Sequence, residues 1–247
     1  MVHMIIATAE TDRRIGDPDC VRGSMPAFRP DPIHRGPFIS LIHVVHSLMP
    51  MTTMSDFVTR FELPALPFER HSLEPEMSRA QVDLLYSHHH RRHIDALNAR
   101  QALVDGHSLS VLATMGDETV RYHAQEAWNL VFFWHGLTAR SVEIPRTLVQ
   151  RAEEAFGGLG ALQYQWRAQI EESAAGWSWL AIDSENTLQL TTSASGHAPV
   201  GMTPLLAITL TEDAYRIDHR GCRGAYFDAL WSHLNWEFAQ LNIELTE

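Results

Sequence analysis

The chain of 247 residues contains no lysine: all 19 of its basic residues are arginine. A coding bias toward GC-rich codons produces this pattern, so the absence reflects the genome and not the activity. Cysteine is almost as scarce. Cys20 and Cys222 are too few for a disulfide framework and have no zinc-site spacing, so a cytoplasmic location is expected. Positive charge is in deficit, with a formal net charge of −11. That excludes a general nucleic-acid surface and argues against binding to anionic membranes. It also weighs against an enzyme that must attract an anion, unless a local positive patch overrides the global field. No apolar run is long enough to span a bilayer. No phosphate-binding glycine loop, nucleophile elbow or paired Cys/His spacing is found. What is present is an apolar content of 45%, enough for a packed core in one large or two small domains.

Residues 1–54 differ in character from the rest. Five arginines balance five acids there, and six of the twelve prolines fall in the same stretch. No helical or strand period survives that density of breakers. The apolar run Phe38–His46 could be the core of a signal peptide, but no small-x-small cleavage site follows it. Met49, Met51 and Met54 crowd the start of the patterned region. The segment therefore reads as an over-long gene start or a disordered extension, with a targeting sequence as a further alternative.

From residue 55 onward the pattern is regular. Ser78 followed by Gln81 reads as a capping box. The helix it opens is predicted to run to about Ala102, with Leu84, Leu85, Ile94, Leu97 and Leu103 as its apolar positions. A second helix is predicted over about Thr119–Leu137, forming a helical hairpin with the first. Helices follow over Pro145–Phe156 and about Leu159–Ser173, with Gly157-Gly158 as a helix stop. Strands are predicted over Trp177–Ile182, Thr187–Thr192 and Leu205–Leu210, and a last helix over Tyr226–Trp236. The boundaries that result are 1–54 for the extension, 55–141 for a helical-hairpin domain and 142–247 for a C-terminal domain mixing helices and strands.

A set of local motifs recurs along this frame. They are Phe61-Glu62-Leu63-Pro64-Ala65-Leu66-Pro67-Phe68, Trp128-Asn129 with Phe132-Phe133-Trp134, Gly176-Trp177-Ser178-Trp179-Leu180, Thr203-Pro204-Leu205-Leu206, Ala214-Tyr215 with Ile217-Asp218 and Arg220, and Asn235-Trp236-Glu237-Phe238. In order and spacing, over about residues 60–243, they resemble the iron/manganese superoxide dismutases. The resemblance implies an α+β fold: a long α-helical hairpin followed by an α/β domain with a three-stranded antiparallel sheet.

The resemblance also marks four positions where the family binds its metal through three histidines and an aspartate. Here they are occupied by Leu85, Leu130, Thr209 and Asp213. The tryptophan expected between the last two is Thr211. Leucine has no donor atom, and each buried leucine contributes about 1.5–3 kcal/mol of packing. The substitution therefore reads as a cavity refilled with hydrocarbon. A small-molecule pocket in the same place would find little room. Neighbouring positions change as well. His93 stands for the family's gateway tyrosine, Glu126 for its glutamine partner and Arg216 for an interfacial tyrosine.

Leu85, His89 and His93 are spaced to share one helix face, looking toward Glu126. Two alternatives follow. His89, His93 and Glu126 could form a relocated two-histidine, one-carboxylate site for iron or manganese. Or a His–Glu ion pair could join Asp213 and Arg216 in a structural charge network. The run His88-His89-His90 cannot chelate as a unit, because adjacent helical residues diverge, and His88 is expected to face solvent. The aromatics Trp128, Phe132, Phe133, Trp177, Trp179 and Trp236 are expected in the core.

The reading drawn from the residues is a superoxide dismutase-like pseudoenzyme with no cofactor and no catalytic residue, acting through binding or assembly. The alternative is an active iron- or manganese-dependent enzyme using the relocated site. The resemblance implies a homodimer, a heterodimer with a superoxide dismutase paralogue, or a place in a larger protein assembly. In the family a glutamate at the position of Glu212 reaches the partner subunit's ligand. Here it would meet Asp213, which repels it unless one of the two is protonated or Arg216 intervenes.

Overall fold

A computed structural model describes residues 60–115 and 117–245. The expectations for residues 1–54, and Cys20 with them, lie outside the described residues.

The first long helix is continuous but not uniform. It comprises α1 (Arg79–Asp83), a π-helical segment (Leu84–His90) and α2 (Arg91–Asn98). Ser78 caps it by accepting from the Gln81 backbone N–H at 3.2 Å. Only half of the capping box forms. The Gln81 side chain turns away, and the Ser78 N–H donates instead to Asp218 Oδ2 at 2.7 Å. A tertiary partner has displaced the local one. The helix stops at Asn98, and two short turns, α3 (Gln101–Val104) and α4 (Leu109–Leu112), continue to the hairpin tip. Leu103, predicted as an apolar helix position, is 55% exposed.

Helix α5 (Glu118–His135) begins at Asp117, whose side chain accepts from the Thr119 and Val120 N–H groups. It packs along α2 and α4. Leu97, Val104, Leu112, Val120 and Ala124 form a small core near the tip. Helix α6 (Arg146–Phe156) ends at Gly157, which adopts φ 84°. The Gly157 and Gly158 N–H groups bond back to Glu153 and Ala152. This is the Schellman arrangement that a glycine supports without strain. Helix α7 (Leu159–Glu172) follows.

The sheet holds β1 (Trp177–Ile182), β2 (Leu188–Ser193) and β3 (Thr203–Thr209) in the order β2-β1-β3, with both pairings antiparallel. All six β1 residues are buried, so the strand is covered on both faces. Ser178 is tolerated there because its hydroxyl accepts from Trp166 Nε1 at 2.8 Å and donates to Gln169 Oε1 at 2.7 Å. Pro204 lies on an edge strand opposite Ala181, where the register shifts; a residue without an N–H is admissible there.

The helix predicted over Tyr226–Trp236 ends at Trp231, and a further helix that the sequence reading lacks follows it. Helix α8 (Arg223–Trp231) ends, and α9 (Trp236–Glu244) starts afresh with Asn235 accepting from the Phe238 N–H. Asparagine prefers the cap to the helix interior, which explains the break. The main core runs from Leu85 and Leu130 through Trp177 and Trp179 to Phe227 and Ile243. Among the described residues no helix is long and apolar enough to cross a membrane.

Candidate metal centre

Leu85 and Leu130 are completely buried in the main core. Thr209 is 1% exposed and closes β3 opposite Trp177. Asp213 lies in a 3-10 turn (Glu212–Ala214) that packs against the π-helical segment. The four positions do not compose a donor set, since two carry only hydrocarbon.

One helical turn further along, the chemistry is different. His89 and His93 project from the first long helix and Glu126 from α5. One ligand atom from each lies within 4.8 Å of the other two, and all three residues are buried. The spacing of four residues puts both imidazoles on one face, and helix packing brings the carboxylate to them.

Each member of the trio has a further polar partner. His89 Nδ1 is 3.0 Å from Asp213 Oδ2. His93 Nδ1 is 3.0 Å from His123 Nδ1. Glu126 Oε1 accepts from Trp177 Nε1 at 2.9 Å and from the Gly196 backbone N–H. Gly196 has φ 77°, and a Cβ there would stand 2.3 Å from the Tyr122 ring. No larger residue can present its N–H to Glu126 in this way without moving the loop.

Burial sets the protonation of the trio. It pushes the His93 imidazole down to about 2, with His89 and the Arg92 guanidinium adding to the effect. Burial also lowers His89, against the opposing pull of Asp213. It raises the Glu126 carboxyl, although the Gly196 and Trp177 hydrogen bonds favour the ionised form. Two imidazoles held neutral beside a buried carboxyl form a donor set that a cation would complete. Arg92 Nε approaches His93 Nε2 at 3.4 Å, a weak contact by distance.

The expected His–Glu pair does not form. The network divides into His89–Asp213–Arg216, with Arg216 Nη1 3.6 Å from Asp213 Oδ1, and Glu126–Trp177–Gly196. His88 is exposed, as expected. His123 and Arg92 were not singled out from the sequence. His123 had a usable signal, since it precedes Glu126 by three residues on the same helix face. Gly196 had none, because its role depends on where a loop crosses α5.

Comparison with known proteins bears on the cofactor. The profile described as iron/manganese superoxide dismutases, alpha-hairpin domain, matches residues 60–138. Its C-terminal counterpart matches residues 145–242. The chain is 32% identical over 193 residues to a protein named superoxide dismutase [Fe] from Photobacterium leiognathi, an alignment covering 74% of this chain and 98% of the relative. It is 31% identical over 189 residues, with the same coverage, to the protein of that name from Escherichia coli strain K12. The expectation of no cofactor is corrected by these relatives, whose names carry iron, together with the buried trio His89, His93 and Glu126 that could hold a metal. That expectation gave more weight to the loss of donors at Leu85, Leu130 and Thr209 than to the alternative set one turn away, His89, His93 and Glu126, which is the set these findings favour. With both profiles matched in order and nearly the full length of the relatives covered, this chain belongs to the iron/manganese superoxide dismutase family.

Proposed function

We propose that this protein binds iron or manganese at His89, His93 and Glu126 and dismutates superoxide there. The observation that carries the reading is the convergence of three buried donors, from two packed helices, within 4.8 Å. Two imidazoles and one carboxylate are a set suited to either metal, with positions left for a small ligand. Bound there, the metal would supply the one-electron redox chemistry that superoxide dismutation requires.

The rest of the work falls to the chain. Trp177 and Gly196 occupy Glu126 Oε1 and leave Oε2 available. Leu85 and Leu130 wall the inner side with hydrocarbon, which excludes water from the older position and confines the donors to the newer one. Arg92, whose charge is felt by His89, His93 and Glu126, provides a local positive field for an anionic substrate despite the chain's net charge of −11.

The test is metal content by mass spectrometry on the full chain grown with iron and manganese, with a superoxide assay on the same sample. Stoichiometric iron or manganese with activity is the expected result. A folded, metal-free and inactive protein overturns the reading. The family relation also supports a cytoplasmic protein that pairs with a second copy or a related subunit, with Arg216 beside Asp213 offsetting the repulsion from Glu212. Light scattering after size exclusion is expected to give twice the chain mass, and a clean monomer counts against self-pairing.

A further inference from the structure

We infer that Asp213 is a positioning residue for this centre: its carboxylate holds the proton of His89 on Nδ1 and leaves Nε2 with the lone pair that a ligand needs. The metal part of this inference rests on the proposed function; the orientation of the ring does not.

The geometry is specific. Asp213 Oδ2 lies 3.0 Å from His89 Nδ1, and the His89 side chain is 3% exposed. A carboxylate can only accept here, so Nδ1 carries the proton, and burial, which disfavours the imidazolium, leaves Nε2 without one. An imidazole that donates its far N–H to a carboxylate is fixed in tautomer and rotation, and is a more basic ligand.

Asp213 is itself well anchored. The Gln81 side chain, completely buried, donates to the Asp213 carbonyl and accepts from the Ile217 N–H at 2.9 Å. Ser78 Oγ donates to Asp218 Oδ1 at 2.7 Å. The start of the first helix thus clamps the chain on and after Asp213. Arg216 faces the second carboxylate oxygen. These anchors act on the backbone, so changing the Asp213 side chain leaves the clamp in place.

The test uses the full chain labelled with nitrogen-15 histidine, free of metal, with long-range proton–nitrogen correlation spectra. His89 is assigned by comparison with His89→Gln. In the wild type His89 is expected as the pure Nδ1–H form. In Asp213→Ala it should become a mixture or turn to Nε2–H. Asp213→Asn should restore the wild-type form, since its amide oxygen still accepts. Manganese affinity should fall roughly 10–100-fold in Asp213→Ala. An unchanged His89 tautomer in Asp213→Ala overturns the inference, whatever the metal result. If the wild type binds neither iron nor manganese, the proposed function fails, and the tautomer alone decides the role of Asp213. A merely structural contribution would lower stability without moving the tautomer.

Discussion

His93→Ala is expected to remove bound iron or manganese from the protein, whereas Leu85→Ala is expected to leave it in place. The two residues lie two turns apart on one helix face, and the resemblance gives Leu85 the inherited ligand position. If the inherited position still mattered, the two changes would weaken the centre together. If the metal sits with His89, His93 and Glu126, only His93→Ala removes a donor. The loss should exceed the roughly 10–100-fold that removing an outer partner costs. Leu85→Ala should instead cost about 2–5 kcal/mol of stability through the cavity it opens in a fully buried site. Metal content by mass spectrometry and urea titration on both variants separate the cases. Because His93 also partners His123, circular dichroism on His93→Gln, which keeps much of the volume, guards against unfolding. Retention of wild-type metal in both histidine variants would rule out the displaced centre.

The second large effect is on acid stability. His90 is completely buried and its imidazole is pushed down to about 3, chiefly by burial, with His89 adding. His93 is pushed down to about 2. Each therefore binds fewer protons folded than unfolded below the ordinary value of 6.5. Stability from these groups is fully present above that value and is lost as pH falls toward the folded values. Glu126 acts in the opposite sense: its raised carboxyl holds a proton longer when folded, so its contribution is lost as pH rises through the folded value. With His89 also lowered, three imidazoles outweigh one carboxyl. Metal-free protein should lose roughly 2 kcal/mol for each of His90 and His93 between about pH 7 and pH 5. Urea titrations at the two values measure it. His90→Leu should be less sensitive to acid than the wild type by about one histidine's share. A wild-type stability independent of pH over that window would show that these rings are hydrated.

Much of this was legible in the residues. Helix and strand positions follow from apolar period and caps, and β1 is predicted to the residue because Gly176 and Asp183 bracket a dense apolar run. The misplaced ends have local reasons. Leu103 fits a helical period, but the helix had already stopped at Asn98. The expected last helix overshoots Trp231 because apolar period alone does not register a cap, and Asn235 opens a separate helix there. The capping box was half right because Gln81 finds better partners in Asp213 and Ile217, more than a hundred residues away.

The sequence by itself determined that Leu85 and Leu130 cannot bind metal, and that His89 and His93 share a face directed at Glu126. The first needs only side-chain chemistry and the shared face only the helical period; that the face looks toward Glu126 is what the family resemblance implied. Only the tertiary structure decided which groups join. It gave His89 to Asp213 instead of Glu126, paired His93 with His123, and filled one oxygen of Glu126 with Trp177 and Gly196. A helical period fixes the direction of a side chain but not the distant donor or acceptor that packing brings to meet it. In a buried site that partner sets the proton, and the proton sets whether a nitrogen or an oxygen can take a metal.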